Sequence, residues 1–382
     1  MLSMFAAILT GVVLAQDVSV RSDHPDRYVV VKGDTLWDIS GRFLDKPWQW
    51  PAIWNANPQI ENPHLIYPGD VLSLVYVDGV PQLRLSREGT EKLSPAIRVV
   101  DRGDPINAIP LSRIEPFLRD VRVLSPSEFE NLPYIVSNEV DRITATYSDQ
   151  TYARGLNANV GDEFVVARLY SIYDMTKEDG VRRVLPRDNW RQVPNTRNRN
   201  TTLWNETPPW NKKAKNPVGY EMVEVSRVRV RKSGDISVLD ILKDRSEVQE
   251  GDFILPLDTM GYDAVFQPHA MDSVPEGLRI LSTKDALYGV GHYQIVALNG
   301  GKSQGLESGH VFSVFRPGRE VEDRVGYRWG SFDENADVTL PDQYHATVMV
   351  FRTFDDISYA MVLGGDNLVR TWDILKHPDE RS

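Results

Sequence analysis

Residues 28–76 read YVVVKGDTLWDISGRFLDKPWQWPAIWNANPQIENPHLIYPGDVLSLVY, and the patterning of this stretch decides how the chain is organised. Tyr28 to Val31 is a β-branched run ending at the turn residue Gly33, which predicts a strand. Asp34 and Thr35 offer N-caps to a short helix whose apolar residues Leu36, Ile39 and Phe43 recur at helical spacing, with Trp37 beside them. A second helix is predicted from Trp48 to Asn57, carrying Trp50, Ile53 and Trp54 before Pro58 closes it. Pro68-Gly69-Asp70 is a turn into a final strand, Val71 to Tyr76. The local order is βααβ. Trp37, Trp50 and Trp54 sit at helical spacing and are expected in the core.

The opening YVVVKGDTLWDIS, the central WNANPQI and the closing NPHLIYPGDVL together resemble a LysM module, the small domain that binds N-acetylglucosamine-containing glycans such as peptidoglycan and chitin. The Trp-rich connection FLDKPWQWPAIW is longer than the common pattern of that family. The resemblance implies a sugar groove between the loop after the first strand and the loop before the last. Here those loops are Gly33, Asp34, Thr35 and Leu36, and Asn62, Pro63, His64, Leu65, Ile66 and Tyr67. An N-acetyl group needs hydrogen bonds from backbone amides and an apolar pocket for its methyl, and turn residues such as Gly33 leave backbone groups open to approach. Leu65 and Ile66 are the expected apolar wall, and His64 is expected as a loop residue beside the glycan rather than a base.

Ahead of this module, Met4 to Leu14 reads MFAAILTGVVL, an apolar run followed by small residues before a cleavage point, so residues 1–15 are expected to be a secretory signal peptide. No Lys or Arg precedes Arg21, and the usual cationic start is missing. The run is shorter than the ~20 residues a membrane-spanning helix needs, and no transmembrane helix is expected in the mature chain.

Behind the module, residues 78–135 carry prolines at 81, 95, 105, 110, 116, 126 and 133, a density that breaks long elements, and are read as a connector with a short strand and short helices such as the capped stretch SPSEFENL. From there the pattern alternates, as in Arg142 to Tyr147, Glu163 to Arg168, Val228 to Arg231 and Thr347 to Phe351, which predicts a β-rich region. Val160-Gly161-Asp162-Glu163-Phe164 resembles Ser308-Gly309-His310-Val311-Phe312, and Gly234-Asp235-Ile236-Ser237 resembles Asp355-Asp356-Ile357-Ser358. The intervals between the pairs differ by 74 − 47 = 27 residues, which a polar insertion after Tyr170 can absorb. The expectation is two related β units, 136–256 with an insertion at 171–217 and 257–382. The competing account is that Gly-Asp before a β-branched run is a generic turn, a pattern that Gly251-Asp252-Phe253-Ile254 also fits. The fold class is thus multidomain α+β, a small βααβ module followed by a β-rich region of two related units.

Composition bears on function by exclusion. The chain has 382 residues, 43 Lys+Arg, 54 Asp+Glu and a formal charge of −11, which disfavours bulk nucleic-acid binding. It contains no cysteine, which removes the thiol nucleophiles of wall-cleaving cysteine peptidases and L,D-transpeptidases as well as any lipid-anchoring cysteine. The seven histidines include no H-x-H or H-E-x-x-H spacing of zinc peptidases. Gly301-Lys302-Ser303-Gln304-Gly305 satisfies G-x-S-x-G, but it lies between β runs rather than between a strand and a helix, and a tight loop is expected. The paired carboxylates of a glycosidase are open at this level. The insertion is locally basic, with seven Arg or Lys against two acids over 187–217; it either contacts an acidic partner or is a solvated loop.

Domain order resembles the secretin-associated LysM proteins of type IV pilus systems, whose C-terminal part is similar to that of the flagellar protein FlgT. This implies a non-catalytic periplasmic protein with no metal or cofactor, peptidoglycan glycan strands as ligand, an outer-membrane secretin as partner and an oligomer on the secretin ring. The alternatives are a LysM-bearing cell-wall hydrolase and a general envelope scaffold without a pilus role.

Overall fold

A computed structural model of the chain describes residues 18–54, 66–86, 108–139, 143–174, 217–257, 266–283, 288–322 and 337–380. These divide into two compact units, one running to Ile109 with Gln267–His269 and the other comprising Pro110–Phe266 and the chain from Ala270 onward. The expected signal peptide lies outside the described residues.

The first unit contains β1 (Arg27–Val29), α1 (Leu36–Phe43), a 3-10 turn at Pro47–Gln49, α2 (Trp50–Trp54), β2 (Val71–Val77) and β3 (Val80–Ser86). Thr35 caps α1, its hydroxyl accepting from the Asp38 N–H at 3.1 Å and donating to the Asp38 carboxylate at 2.7 Å. The predicted second helix instead starts as a 3-10 turn, with Pro47 at its first position, and continues as α2; residues 55–57 lie outside the described residues. Leu36, Ile39, Phe43, Trp50, Ile53, Trp54, Ile66 and Leu72 form the core, and Trp37 is also buried.

The βααβ reading gains a third strand. Asp78 and Gly79, with φ of 51° and 82°, make a two-residue turn between Val77 and Val80, and β3 pairs with β2 to complete an antiparallel sheet ordered β1-β2-β3. Positive φ at both central residues is the hairpin geometry that Asp-Gly favours. The expected connector over 78–135 is therefore divided. Residues 80–86 belong to the module's sheet, residues from 110 onward belong to the second unit, and 87–107 lie outside the described residues. Upstream, Val20 bridges Leu44, and the Arg21 N–H donates to the Phe43 carbonyl at 2.9 Å, so residues before the quoted stretch join the same unit.

The second unit is β-rich. It opens with α3 (Leu111–Arg119), β4 (Val121–Leu124) and α4 (Pro126–Glu130), the last closed by a Ser125–Glu128 capping box. Then come β5 (Tyr134–Asn138), β6 (Thr144–Ala145), β7 (Gln150–Arg154), β8 (Glu163–Asp174), β9 (Pro217–Lys232), β10 (Ile236–Asp244), β11 (Val248–Gln249) and β12 (Phe253–Pro256). Residues 171–174 and 217, expected in the insertion, continue β8 and begin β9; 175–216 lie outside the described residues. The strand order is β10-β7-β5-β12-β8-β9, and β9 pairs β10 again, so six strands close on themselves. Closure leaves no free sheet edge within the ring.

After β13 (His269–Ala270) the chain builds β14 (Ile280–Thr283), β15 (Ile295–Leu298), β16 (His310–Arg316), β17 (Glu320–Glu322), β18 (Asp337–Thr339), β19 (Gln343–Thr353), β20 (Ser358–Gly364) and β21 (Ile374–Lys376). Here β16-β19-β20-β15-β14 are neighbours and β21 pairs β16. The Ile280 N–H donates to the Asp373 carbonyl and the Trp372 N–H to the Ile280 carbonyl, both at 2.8 Å, which joins β14 to the start of β21 and closes a second ring.

One turn recurs throughout. Its last side chain accepts the first residue's N–H: Asp70 from Tyr67, Asp162 from Asn159, Asp252 from Gln249, His310 from Glu307 and Asp373 from Arg370, at 2.7–3.1 Å. Its third residue has positive φ and sends its N–H across to a neighbouring strand, as Gly69 does to Val30, Gly161 to Val230, Gly251 to Ile135, Gly309 to Val350 and Trp372 to Ile280. Gly-Asp is thus a recurrent mark of one turn, found in both units.

Two of these aspartates also hold an arginine. Arg168 donates to both oxygens of Asp252 at 2.7 and 2.8 Å, and Arg316 to both oxygens of Asp373 at 2.6 and 3.1 Å, with both carboxylates almost fully buried. Removing one partner of such a pair leaves a buried charge uncompensated. Arg168→Ala and Arg316→Ala are each expected to lower unfolding free energy by about 3 kcal/mol or more, measured from denaturant midpoints of the full chain.

Candidate functional site

The described residues flanking the two loops named from the sequence, Val30 before the first and the Gly69-Asp70 turn after the second, are joined by backbone bonds. The Val30 N–H donates to the Asp70 carbonyl at 2.9 Å, and the Gly69 N–H donates to the Val30 carbonyl at 2.8 Å. The first loop is closed by Asp34, whose carboxylate accepts from the Val31 N–H and the Tyr28 hydroxyl, each at 2.9 Å. The second turn is closed in the same way, with Asp70 accepting from the Tyr67 N–H at 3.1 Å.

The site residues divide by accessibility. Gly33 is exposed with φ of 100°, so a substituent there would be strained whatever the space around it. Asp34 and Tyr67 are half-buried. Thr35, Leu36 and Ile66 are buried, and Leu36 and Ile66 are core side chains. Ile66 therefore cannot present its side chain as the expected apolar wall, because it is fully buried in the module's core. What this face offers a glycan from the described residues is backbone around Gly33, the Tyr67-Pro68-Gly69 turn, and the exposed side chains of Val31 and Lys32. Asn62, Pro63, His64 and Leu65 lie outside the described residues.

Tyr28 and Arg42 were not singled out by the sequence. The Arg42 guanidinium lies 4.6 Å from the centre of the Tyr28 ring, whose hydroxyl bonds Asp34, so these residues buttress the first loop from behind. Burial and the neighbouring Asp34 carboxylate push the Tyr28 hydroxyl above its ordinary value. A raised folded-state value means that the contact is intact at neutral pH and is lost only as pH rises through the alkaline tyrosine range. Tyr28 opens the motif, and Arg42 follows the helical repeat of α1, but nothing in local spacing pairs a strand residue with a helix residue fourteen positions later.

The G-x-S-x-G match lies in a 3-10 turn, Lys302–Gln304, between β15 and β16. Its Ser303 hydroxyl donates to the Asp356 carboxylate at 2.7 Å, and its backbone N–H to the Asp355 carbonyl at 2.9 Å. No strand-to-helix elbow is formed, and the N–H of Gln304, the residue after the serine that would serve an oxyanion, is already engaged by the Gly301 carbonyl at 3.0 Å.

Residues 28–75 match the LysM domain family. A 60-residue segment is 38% identical to the uncharacterized protein YqbP of Bacillus subtilis (strain 168), covering 13% of this chain and 27% of that protein. The shared segment is thus about a quarter of that relative's length.

Asp34→Ala removes the acceptor of two hydrogen bonds. It is expected to cut hydrogen-exchange protection of the Val31 amide by about fivefold or more, with little change in the second unit, the free-energy equivalent of about 1 kcal/mol.

Proposed function

We propose that the protein is an exported, non-catalytic peptidoglycan-binding protein of the periplasm, which grips glycan through Gly33, Asp34, Thr35, Leu36, Asn62, Pro63, His64, Leu65, Ile66 and Tyr67. The observation that carries this reading is the LysM match at residues 28–75, supported by the backbone bonds that join Val30, before the first loop, to Gly69 and Asp70, after the second. Leu36 and Ile66 contribute to it through backbone and by fixing the loops, since their side chains are buried.

The second unit is the part that engages a partner. By resemblance to the secretin-associated protein TsaP, that partner is the outer-membrane secretin of a type IV pilus, and several copies on one ring would add weak glycan contacts into a firm hold. The unit is read as a duplication of one six-stranded ring. Supporting this, 168 − 161 and 316 − 309 are both seven, so Arg168 and Arg316 stand equally far along their strands from Gly161 and Gly309. Register shifts also coincide: between Val166 and Ala167 in β8 and between Val314 and Phe315 in β16, and between Ile135 and Ser137 in β5 and between Ile280 and Ser282 in β14. The earlier difference of 27 residues recurs between the Arg168–Asp252 and Arg316–Asp373 intervals, 84 − 57.

Co-sedimentation with purified sacculi tests the glycan reading. The full chain is expected in the pellet, and a chain lacking residues 28–77 in the supernatant; equal pelleting of both would remove the module from the function. In zymograms of sacculi no clearing band is expected, and a band abolished by changing a single acid would establish a hydrolase instead. A pull-down from pilus-bearing cells is expected to retain secretin, and its absence would leave a general envelope scaffold.

A further inference from the structure

Within the second unit the two rings meet through an arm. Beyond the first ring β8 and β9 run on as an extension, paired as far as Asp174 and Pro217 and flanked by β4, which pairs with β9 from Tyr220 to Val223, and this arm seats on the β19–β20 turn of the second ring. Gly219 of the arm receives Ile357 so closely that a Cβ there would lie 2.7 Å from the Ile357 Cδ1. The Tyr173 hydroxyl donates to the Glu221 carboxylate and lies 3.3 Å from the Tyr359 hydroxyl, and all three residues are buried. Phe117 of α3 stands edge-on to Phe351 and Tyr359, and Arg352 donates to the Phe117 and Leu118 carbonyls.

The strand registers carry this junction onto the other half of the unit. β9 pairs β10 as β19 pairs β20: Leu239 with Val230, Asp240 with Arg229 and Ile241 with Val228, against Ala360 with Val350, Met361 with Met349 and Val362 with Val348. The position of Ile357 is therefore held by Ile236, in the matching Gly-Asp-Ile-Ser turn. Ile357 is 1% exposed, whereas Ile236 is 41% exposed. The second ring has its own arm as well, β17 paired with β18 beyond β16 and β19, and it leaves Val338 48% and Leu340 37% exposed. Each ring thus supplies an arm and a turn, and one arm and one turn are used up inside the chain.

We infer that the remaining arm, β17–β18 of one copy, docks on the remaining turn, around Ile236 of first-ring strands β9 and β10, in a second copy of this chain. The contact joins the same two kinds of surface as the one between the rings but differs in detail, because Val321 pairs Val338 where Tyr173 pairs Gly219; it covers Val338 and Leu340 with Ile236 through side chains rather than through a glycine seat. It is more polar than its intrachain counterpart, because exposed Arg231 and Lys232 stand where the second ring has Phe351 and Arg352. Arg231 already pairs with Asp240 at 3.4 Å, so Glu320 on the arm answers Lys232, and Arg319 beside it answers exposed Asp235. An arm-to-turn contact uses different surfaces on its two sides, so it is heterologous and propagates head to tail into rings or filaments rather than stopping at a two-fold dimer. It stands apart from the glycan reading, since none of these residues belongs to 28–75.

Sedimentation velocity of the full chain over about 1–100 μM tests it. The wild type is expected to grow with concentration past the dimer. Ile236→Asp and Val338→Asp, both at exposed positions, are each expected to weaken association about tenfold or more while leaving the circular dichroism spectrum and melting temperature unchanged. An equimolar mixture of the two variants is expected to form a dimer of wild-type affinity, because the intact arm of the first meets the intact turn of the second. A monomeric wild type, variants that associate as the wild type does, or a mixture no more associated than its components would each overturn the inference. Sacculus pelleting of the same variants reports the glycan reading separately and is expected to be unchanged.

Discussion

The structure depends on one small constraint: a turn whose last side chain accepts the N–H of its first residue, while its third residue, at positive φ, donates across to a neighbouring strand. The carboxylate of Asp70, Asp162, Asp252 or Asp373 fixes the turn from inside, and the crossing N–H fixes where the next strand lands. The module and both rings use it. The requirement for positive φ explains the glycine at most of these turns, and Trp372, with φ of 74°, shows the conformation imposed on a bulky residue once Asp373 is held by Arg316 and by the strand beside it. At Asp252 and Asp373 the same carboxylate also receives an arginine, so these two turns couple strand placement to buried charge pairing.

This dual use explains what the sequence made legible and what it did not. The module could be read because its elements are short and local: a cap at Thr35, a helical repeat through Phe43 and a Pro-Gly-Asp turn are decided within a few residues. The helix around Trp50 was overextended because a proline at Pro47 and another at Pro51 tighten its start, and propensity alone does not distinguish a 3-10 turn from the first turn of a helix. A short strand was expected in the proline-rich stretch 78–135, but not that residues 80–86 would join the module's sheet, although the Asp78-Gly79 pair carries the hairpin signal. The β-rich character of the second unit was visible as alternation, but ring closure is not a local property. It rests on pairings such as β5 with β12 and β14 with β21, between residues separated by roughly a hundred positions, for which alternation gives no register.

The candidate site shows the same division. That the strands flanking these loops pair was inferable, because both loops adjoin β runs of one short module. Which side chains in them are available was not, because Leu36 and Ile66 satisfy a binding motif and a core pattern equally well and the core claims them. Tyr28 and Arg42 escaped notice for the complementary reason: their contact is made across elements, and only the fold brings a ring and a guanidinium within 4.6 Å.

Closure also governs where the second unit can interact. Strands that return on themselves expose no edge for pairing, so the rings are poor surfaces for strand addition. What closure leaves open are the extensions beyond the rings and the turns at their ends, and these are where exposed apolar residues such as Ile236, Val338 and Leu340 are found. Inside the chain, one such extension and one such turn have already satisfied each other through Gly219 and Ile357. A repeat that satisfies itself once is left with one unmatched surface of each kind, and surfaces that differ from one another favour a chain of contacts over a closed pair. Residues 28–75, which match the LysM domain family, contribute none of these surfaces, so on the proposed reading each copy added to such a chain would bring its own loops to the wall, and affinity would accumulate with the number of copies rather than with the strength of any one groove.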